Sequence, residues 1–154
     1  MTHCQALHKS LTQNNYYMKR FILVLAIVTV TTVLKAQTVQ QEKYILEQDD
    51  KVAKQDPGPH SGGGVTIGYS FFDKVKDYKT AFKKRTLKPG SSIGYHLQEQ
   101  DEIYYILEGK GEMKMNGETF AVKAGDAILT RPGSSHGLIP KGGDLTLIIV
   151  YAKK

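Results

Sequence analysis

From Ser92 to Ala152 the chain is interrupted by a turn signal roughly every ten residues, and no segment between the signals holds a helical period. Pro89-Gly90 precedes Ser92–Gln98, and Glu99–Asp101 separates it from Glu102–Leu107. Glu108-Gly109-Lys110-Gly111 follows, then Glu112–Met115, Asn116-Gly117 and Glu118–Val122. Asn-Gly between alternating segments is the strongest two-residue hairpin signal, because both positions of the tight turn need positive φ. Ala124-Gly125-Asp126 leads to Ala127–Thr130, and Pro132-Gly133-Ser134-Ser135 leads to Leu138-Ile139. Lys141-Gly142-Gly143-Asp144 then introduces Leu145–Ala152. Upstream, Val65–Phe72 is β-branched and aromatic, and Thr80–Leu87 alternates Ala81, Lys83, Arg85 against Phe82, Lys84, Thr86. Many short strands at this spacing predict an all-β sandwich or barrel. Fifteen glycines and a length of 154 residues fit one such domain.

The other constraint is at the start. Phe21–Leu34 is a continuous apolar run, with Lys19-Arg20 before it and Leu34-Lys35-Ala36 after it. A basic head, a short apolar stretch and a small residue describe a secretory signal peptide. The run is short for a membrane span of about 20 residues, and an uncleaved anchor is the alternative. Met18 directly precedes Lys19, so residues 1–17 read as an extension ahead of the true start. We expect cleavage after Ala36, an exported chain (periplasmic or secreted), and no stable membrane span afterwards. Residues 37–64 are polar and rich in Asp, Pro and Gly, and read as an irregular lead-in with one short strand at Tyr44–Leu46. Residues 65–152 then make the barrel.

Charge and cysteine narrow the chemistry. The net charge is +6, but Lys9, Lys19, Arg20 and Lys35 lie in the first 36 residues, where no acidic residue occurs. The rest of the chain carries 17 basic against 15 acidic residues, without a basic stripe interleaved with aromatics. No nucleic-acid partner is expected. The single cysteine, Cys4, precedes the cleavage site. A mature chain without thiols must draw its chemistry from histidine, carboxylates and metal.

One hairpin offers those groups. Strand alternation puts His96 and Gln98 on one face and Tyr95 and Leu97 on the other. The turn at Glu99–Asp101 returns Glu102 beside them, with Tyr104 and Ile106 on the face of Glu102. His136, after Pro132-Gly133, can join from a later strand end. Two imidazoles, a carboxylate and an amide oxygen suit one divalent ion such as Mn, Fe, Ni or Zn. Tyr104 is core or pocket wall. Arg131 can line the pocket and anchor a carboxylate as a bidentate donor, or lie on the surface. His60 reads as an exposed loop residue, and Glu99 and Asp101 as solvated turn charges.

These residues carry a resemblance. Pro89-Gly90, Gly94-x-His96-x-Gln98, Glu102 and Gly109 resemble the first motif of the cupins, and Gly125-Asp126 with Pro132-Gly133-x-x-His136 resembles the second. The resemblance covers roughly residues 65–152. It implies a double-stranded β-helix, a jelly-roll barrel, with a metal held in its mouth by His96, Gln98, Glu102 and His136. Gln98 stands where the family usually has a second histidine, and Pro140 where an asparagine often follows. The resemblance further implies a metalloenzyme acting on a small polar molecule such as a sugar or sugar acid, by isomerase, lyase or dioxygenase chemistry. The alternatives are a non-catalytic carbohydrate or small-molecule binding module, or a barrel whose metal site is degenerate. It also makes a homodimer plausible.

Overall fold

A computed structural model describes residues 43–154. The apolar run, Met18, Cys4 and the expected cleavage site lie outside those residues. Among the described residues, no helix is long and apolar enough to cross a membrane.

The described chain is all-β apart from α1, a single helical turn at Asp49–Val52. The strands are β1 (Ala53–Pro57), β2 (Val65–Phe71), β3 (Thr80–Leu87), β4 (Ile93–Leu97), β5 (Glu102–Glu108), β6 (Lys110–Met115), β7 (Glu118–Lys123), β8 (Ala127–Thr130), β9 (Ser135–Pro140) and β10 (Leu145–Ala152). They form a six-stranded sheet in the order β1-β2-β3-β10-β5-β8 and a four-stranded sheet in the order β4-β9-β6-β7. The strand pairs are all antiparallel. This is consistent with the jelly-roll barrel that the motifs imply.

Alternation builds the core. In β5, Glu102, Tyr104 and Ile106 are buried while Ile103, Tyr105 and Leu107 face out. In β10, Leu145, Leu147 and Ile149 turn inward. They pack with Leu87, Ile93, Met113, Val122 and Leu138. Each such side chain contributes roughly 1.5–3 kcal/mol by leaving water. Asn116 and Gly117 have φ of +50° and +91°, and Met115 pairs with Glu118, so the hairpin turns in two residues.

The lead-in differs from the sequence expectation in detail. Tyr44 and Leu46 are exposed and outside any strand. The strand lies later, at Ala53–Pro57, a segment without β-branched residues. It pairs with β2 from Ala53↔Tyr69 to Pro57↔Val65. The open edge of β2 supplies the ladder, and that partner outweighs local preference. Pro57, which lacks an N–H, is tolerated because β1 is an edge strand.

Candidate metal centre

Two neighbouring strands of the smaller sheet bring the histidines together. His96 of β4 is paired in register with His136 of β9, and their ring centroids are 4.4 Å apart. The β4–β9 register is Ile93↔Leu138 and then His96↔His136, with an irregularity between the two. Strict alternation would send Ile93 and His96 to opposite faces. The bulge lets Ile93 pack in the core and His96 still face inward, a common use of bulges beside functional sites. The third group comes from the other sheet, where Glu102 begins β5. One ligand atom from each of His96, Glu102 and His136 lies within 4.8 Å of the other two. The cluster therefore spans the two sheets.

The protonation pattern fits a metal. His96 Nδ1 is 2.8 Å from the carbonyl oxygen of Gly94. A carbonyl only accepts, so Nδ1 donates and Nε2 keeps its lone pair, as a ligand imidazole requires. Glu102 Oε2 and His136 Nδ1 are buried without hydrogen-bond partners. Such orphaned groups are costly in a closed interior, and a cation beside Glu102 Oε2 would satisfy the carboxylate. His136 Nε2 lies 3.5 Å from Glu102 Oε2 and shares a 3.1 Å hydrogen bond with the Tyr104 hydroxyl. Burial, and after it the Glu102 carboxylate, push the Tyr104 phenol well above its ordinary pKa, so it stays protonated.

Gln98 is buried beside the cluster, and its amide nitrogen donates to the Gln100 carbonyl at 2.8 Å. Its amide oxygen is the atom left for a cation. Tyr104, 2% exposed and hydrogen-bonded to His136, is a core residue that touches the cluster from the interior and is not among the residues lining the cleft. Arg131 stands apart. It is exposed, its Nε pairs with Asp101 at 2.7 Å, and it is not among the residues lining the cleft at the cluster. The turn that carries Arg131 points outward, where Asp101 offers a charge partner without desolvation. Glu99 is likewise exposed and paired with Lys154.

The cleft over the cluster has a volume of about 480 Å³, and its walls include His60, His96, Gln98, Gln100, Glu102 and Tyr151. A larger hollow of about 680 Å³, between α1 and β2, contains none of the three donors; the chemistry places the site in the smaller cleft. His60 is an exposed residue of the β1–β2 loop, as its sequence setting predicts, but its partner escaped the sequence reading, as did the placement of Arg85. His60 stacks flat on His96, with centroids 3.5 Å apart and planes within 2°. Burial, and then the neighbouring His96, lower its pKa, with Glu102 opposing. Arg85 lies opposite Gly68 and the core residue Leu147, and it donates to Thr66 Oγ1 at 2.6 Å. Burial lowers its guanidinium pKa, against the opposing pull of Asp56 and then Tyr104. The alternation Ala81-x-Lys83-x-Arg85 was a visible signal for Arg85, whereas nothing in the spacing tied His60 to His96.

Residues 84–151 match the family model described as Cupin domain. Over 71 residues the chain is 44% identical to the oxalate-binding protein of Thermotoga maritima, a match that covers 45% of this chain and 59% of that protein. An uncharacterized protein of Methanocaldococcus jannaschii is 39% identical over 62 residues, covering 40% of this chain and 50% of that protein. The chain thus spans between half and three-fifths of the length of these curated relatives. A crystal structure described as a predicted oxalate decarboxylase, also from Thermotoga maritima, aligns with a TM-score of 0.63 and 29% identity, covering 71% of this chain and all of that one. The polyketide cyclase RemF of Streptomyces resistomycificus aligns at a TM-score of 0.59 and 20% identity, over 72% of this chain and 81% of that one, which bears on the fold alone.

Proposed function

This chain belongs to the cupins through residues 84–151, and from that premise we propose that it binds one divalent ion and uses it to act on a small polar, carboxylate-bearing molecule. We read the two sheets as a double-stranded β-helix, with the site at its mouth. The observation that carries the reading is the convergence of His96, Glu102 and His136 from two sheets, with a buried carboxylate oxygen left without a partner. Those three residues would hold the ion, and the Gln98 amide oxygen is the candidate fourth donor. Mn, Fe, Ni or Zn suits this donor set. When bound, the ion supplies Lewis-acid polarisation of a ligated oxygen.

The protein's own residues do the rest. The Tyr104 hydroxyl holds His136 and keeps its proton inside the dry core. Arg85 adds a fixed positive charge on the interior face. An oxalate-binding relative and a structural neighbour described as an oxalate decarboxylase support a small carboxylic acid as the ligand class. Sugar acids share that chemistry, and isomerase, lyase and dioxygenase reactions are all open to it. The second reading is a binding module without turnover, which the neutral Gln98 and the name of the oxalate-binding relative favour. Elemental analysis of protein purified without added metal, followed by turnover assays with oxalate, sugar acids and phenolics, tests both. A stoichiometric ion with turnover supports the enzyme. A stoichiometric ion with binding alone supports the module, and no bound ion overturns both.

We also propose export. The support is Lys19-Arg20 ahead of the apolar run at residues 21–34. The intact mass of the protein from fractionated cells should correspond to a chain starting at Gln37, and a full-length cytoplasmic species would reject this.

A further inference from the structure

The loop between β1 and β2 is built with unusual constraint for a surface connection. His60 and Ser61 both hold left-handed backbone, at φ of +53° and +59°. Two consecutive non-glycine residues in that region are costly, and such conformations persist only where the surroundings enforce them. Here the enforcement comes from the stretch just before His96. The Gly94 N–H donates to the Pro59 carbonyl at 2.9 Å, and the Ser92 hydroxyl donates to the Gly62 carbonyl at 2.6 Å. Within the loop, the Gly62 N–H donates to Pro59 and the Gly58 N–H to Gly63, both at 3.1 Å. The approach is so close that a Cβ on Gly94 would meet the His60 carbonyl oxygen at 1.9 Å. A Cβ on Gly62 would meet the Ser92 carbonyl oxygen at 2.1 Å.

Gly94 is the pivot of this arrangement. Its N–H anchors the loop, its missing side chain admits the loop, and its carbonyl fixes Nδ1 of His96. The product is the parallel stack of His60 on His96 at 3.5 Å. An imidazole nitrogen donates to a metal within the plane of its ring. Two rings in parallel planes 3.5 Å apart cannot both direct a lone pair at one ion. His60 is accordingly not a ligand beside His96 in this geometry. It is a flat wall that stops the His96 ring from turning about its Cβ–Cγ bond, while Gly94 holds the ring's edge.

We infer that His60 is a positioning residue of the metal centre, placed by the strained Pro57–Gly64 loop to lock the His96 imidazole in its ligating orientation. The inference rests on the metal reading above. It assigns a role to a residue outside both motifs, supplied by the segment ahead of the barrel. Groups that orient a ligand imidazole commonly account for about 10–100-fold in metal affinity.

The test is Co²⁺ binding by the full chain, read as a dissociation constant and as the visible absorption bands of the bound ion. His60→Asn removes the ring while keeping a residue that tolerates left-handed backbone. It should weaken Co²⁺ binding at least about tenfold and shift the bands, with the melting temperature of the metal-free protein unchanged. His60→Phe keeps a flat ring without nitrogen, and Phe72 already holds a φ of +61° in this chain. It should bind Co²⁺ within a few-fold of wild type. Gly62→Ala, which moves the loop without touching the imidazole, should reproduce the His60→Asn loss. The inference is overturned if His60→Asn binds like wild type. It is also overturned if His60→Phe is as weak as His60→Asn, since the nitrogen would then be what matters. Failure of the wild type itself to bind Co²⁺ would instead remove the metal reading, and this inference with it.

Discussion

Glu102 Oε2 and His136 Nε2 stand 3.5 Å apart across the gap between the two sheets, with both side chains nearly sealed from solvent. Each strand reaches that point for its own reasons: β5 by alternation behind Tyr104 and Ile106, β9 by pairing with β4 and β6. A cation held there would tie the sheets together, so metal binding and barrel stability are coupled.

The ligand set is therefore measurable twice. His96→Ala and His136→Ala should each abolish stoichiometric binding of Zn²⁺ or Co²⁺, a larger loss than the about 10–100-fold expected of outer groups. Glu102→Gln should weaken binding while the fold survives, because it keeps the shape and removes the charge. Chelation of the wild type should lower its melting temperature, and chelation of His136→Ala should not. Titration calorimetry and thermal melts check both arms. Equal, substoichiometric metal in wild type and His96→Ala would reduce the family resemblance to one of fold alone.

Gln98 offers a change in the opposite direction. Gln98→His should tighten divalent binding by about tenfold, near 1.4 kcal/mol, by replacing a neutral amide oxygen with a stronger donor. Gln98→Ala should cost little, because water can take the place of an amide oxygen. The comparison is a competition titration against a chelator of known affinity.

Gly117 tests the hairpin. Its φ is +91°, and a Cβ there would meet nothing within 4 Å, so the only penalty is conformational. Gly117→Val should destabilise the protein by about 1 kcal/mol or more. An unchanged melting temperature would contradict the tight turn.

Asp126 gives a pH dependence away from the site. The Lys123 backbone N–H donates to Oδ2 at 2.8 Å, and the Lys123 ammonium lies 3.2 Å from Oδ1. Those bonds, the backbone one first, hold its carboxyl below the ordinary 3.8. A depressed folded-state pKa favours the carboxylate in the fold. Its contribution is thus present above the ordinary value and is lost as pH falls through the lower folded value. Denaturant melts of wild type and Asp126→Asn should differ near neutrality and converge in acid. A gap that does not narrow would exclude this carboxylate as the cause.

The positions of Glu102, Tyr104 and Ile106 were legible because a strand has only two faces, and the hairpin at Asn116-Gly117 because its turn needs two positive φ values. His96 and His136 were legible through their motifs. Sequence could not report that Arg131 finds Asp101 at the surface, since a charged side chain between a strand end and a turn has no period to betray its direction. Nor could it report β1, whose residues lack strand preference and pair only because β2 presents an open edge. The bulge that turns both Ile93 and His96 inward arises from the pairing with β9. His60 is the clearest case. Its contact with His96 joins the β1–β2 loop of one sheet to the edge strand β4 of the other, through three backbone approaches that only glycines at 58, 62 and 94 permit. Sequence by itself determined the strand faces, the turn chemistry and the identities of the donors, because these follow from local periodicity and residue type. Tertiary structure alone decided which faces met and which outlying ring came to rest on the site, because contacts between distant segments depend on register and close backbone approach, which no local pattern encodes.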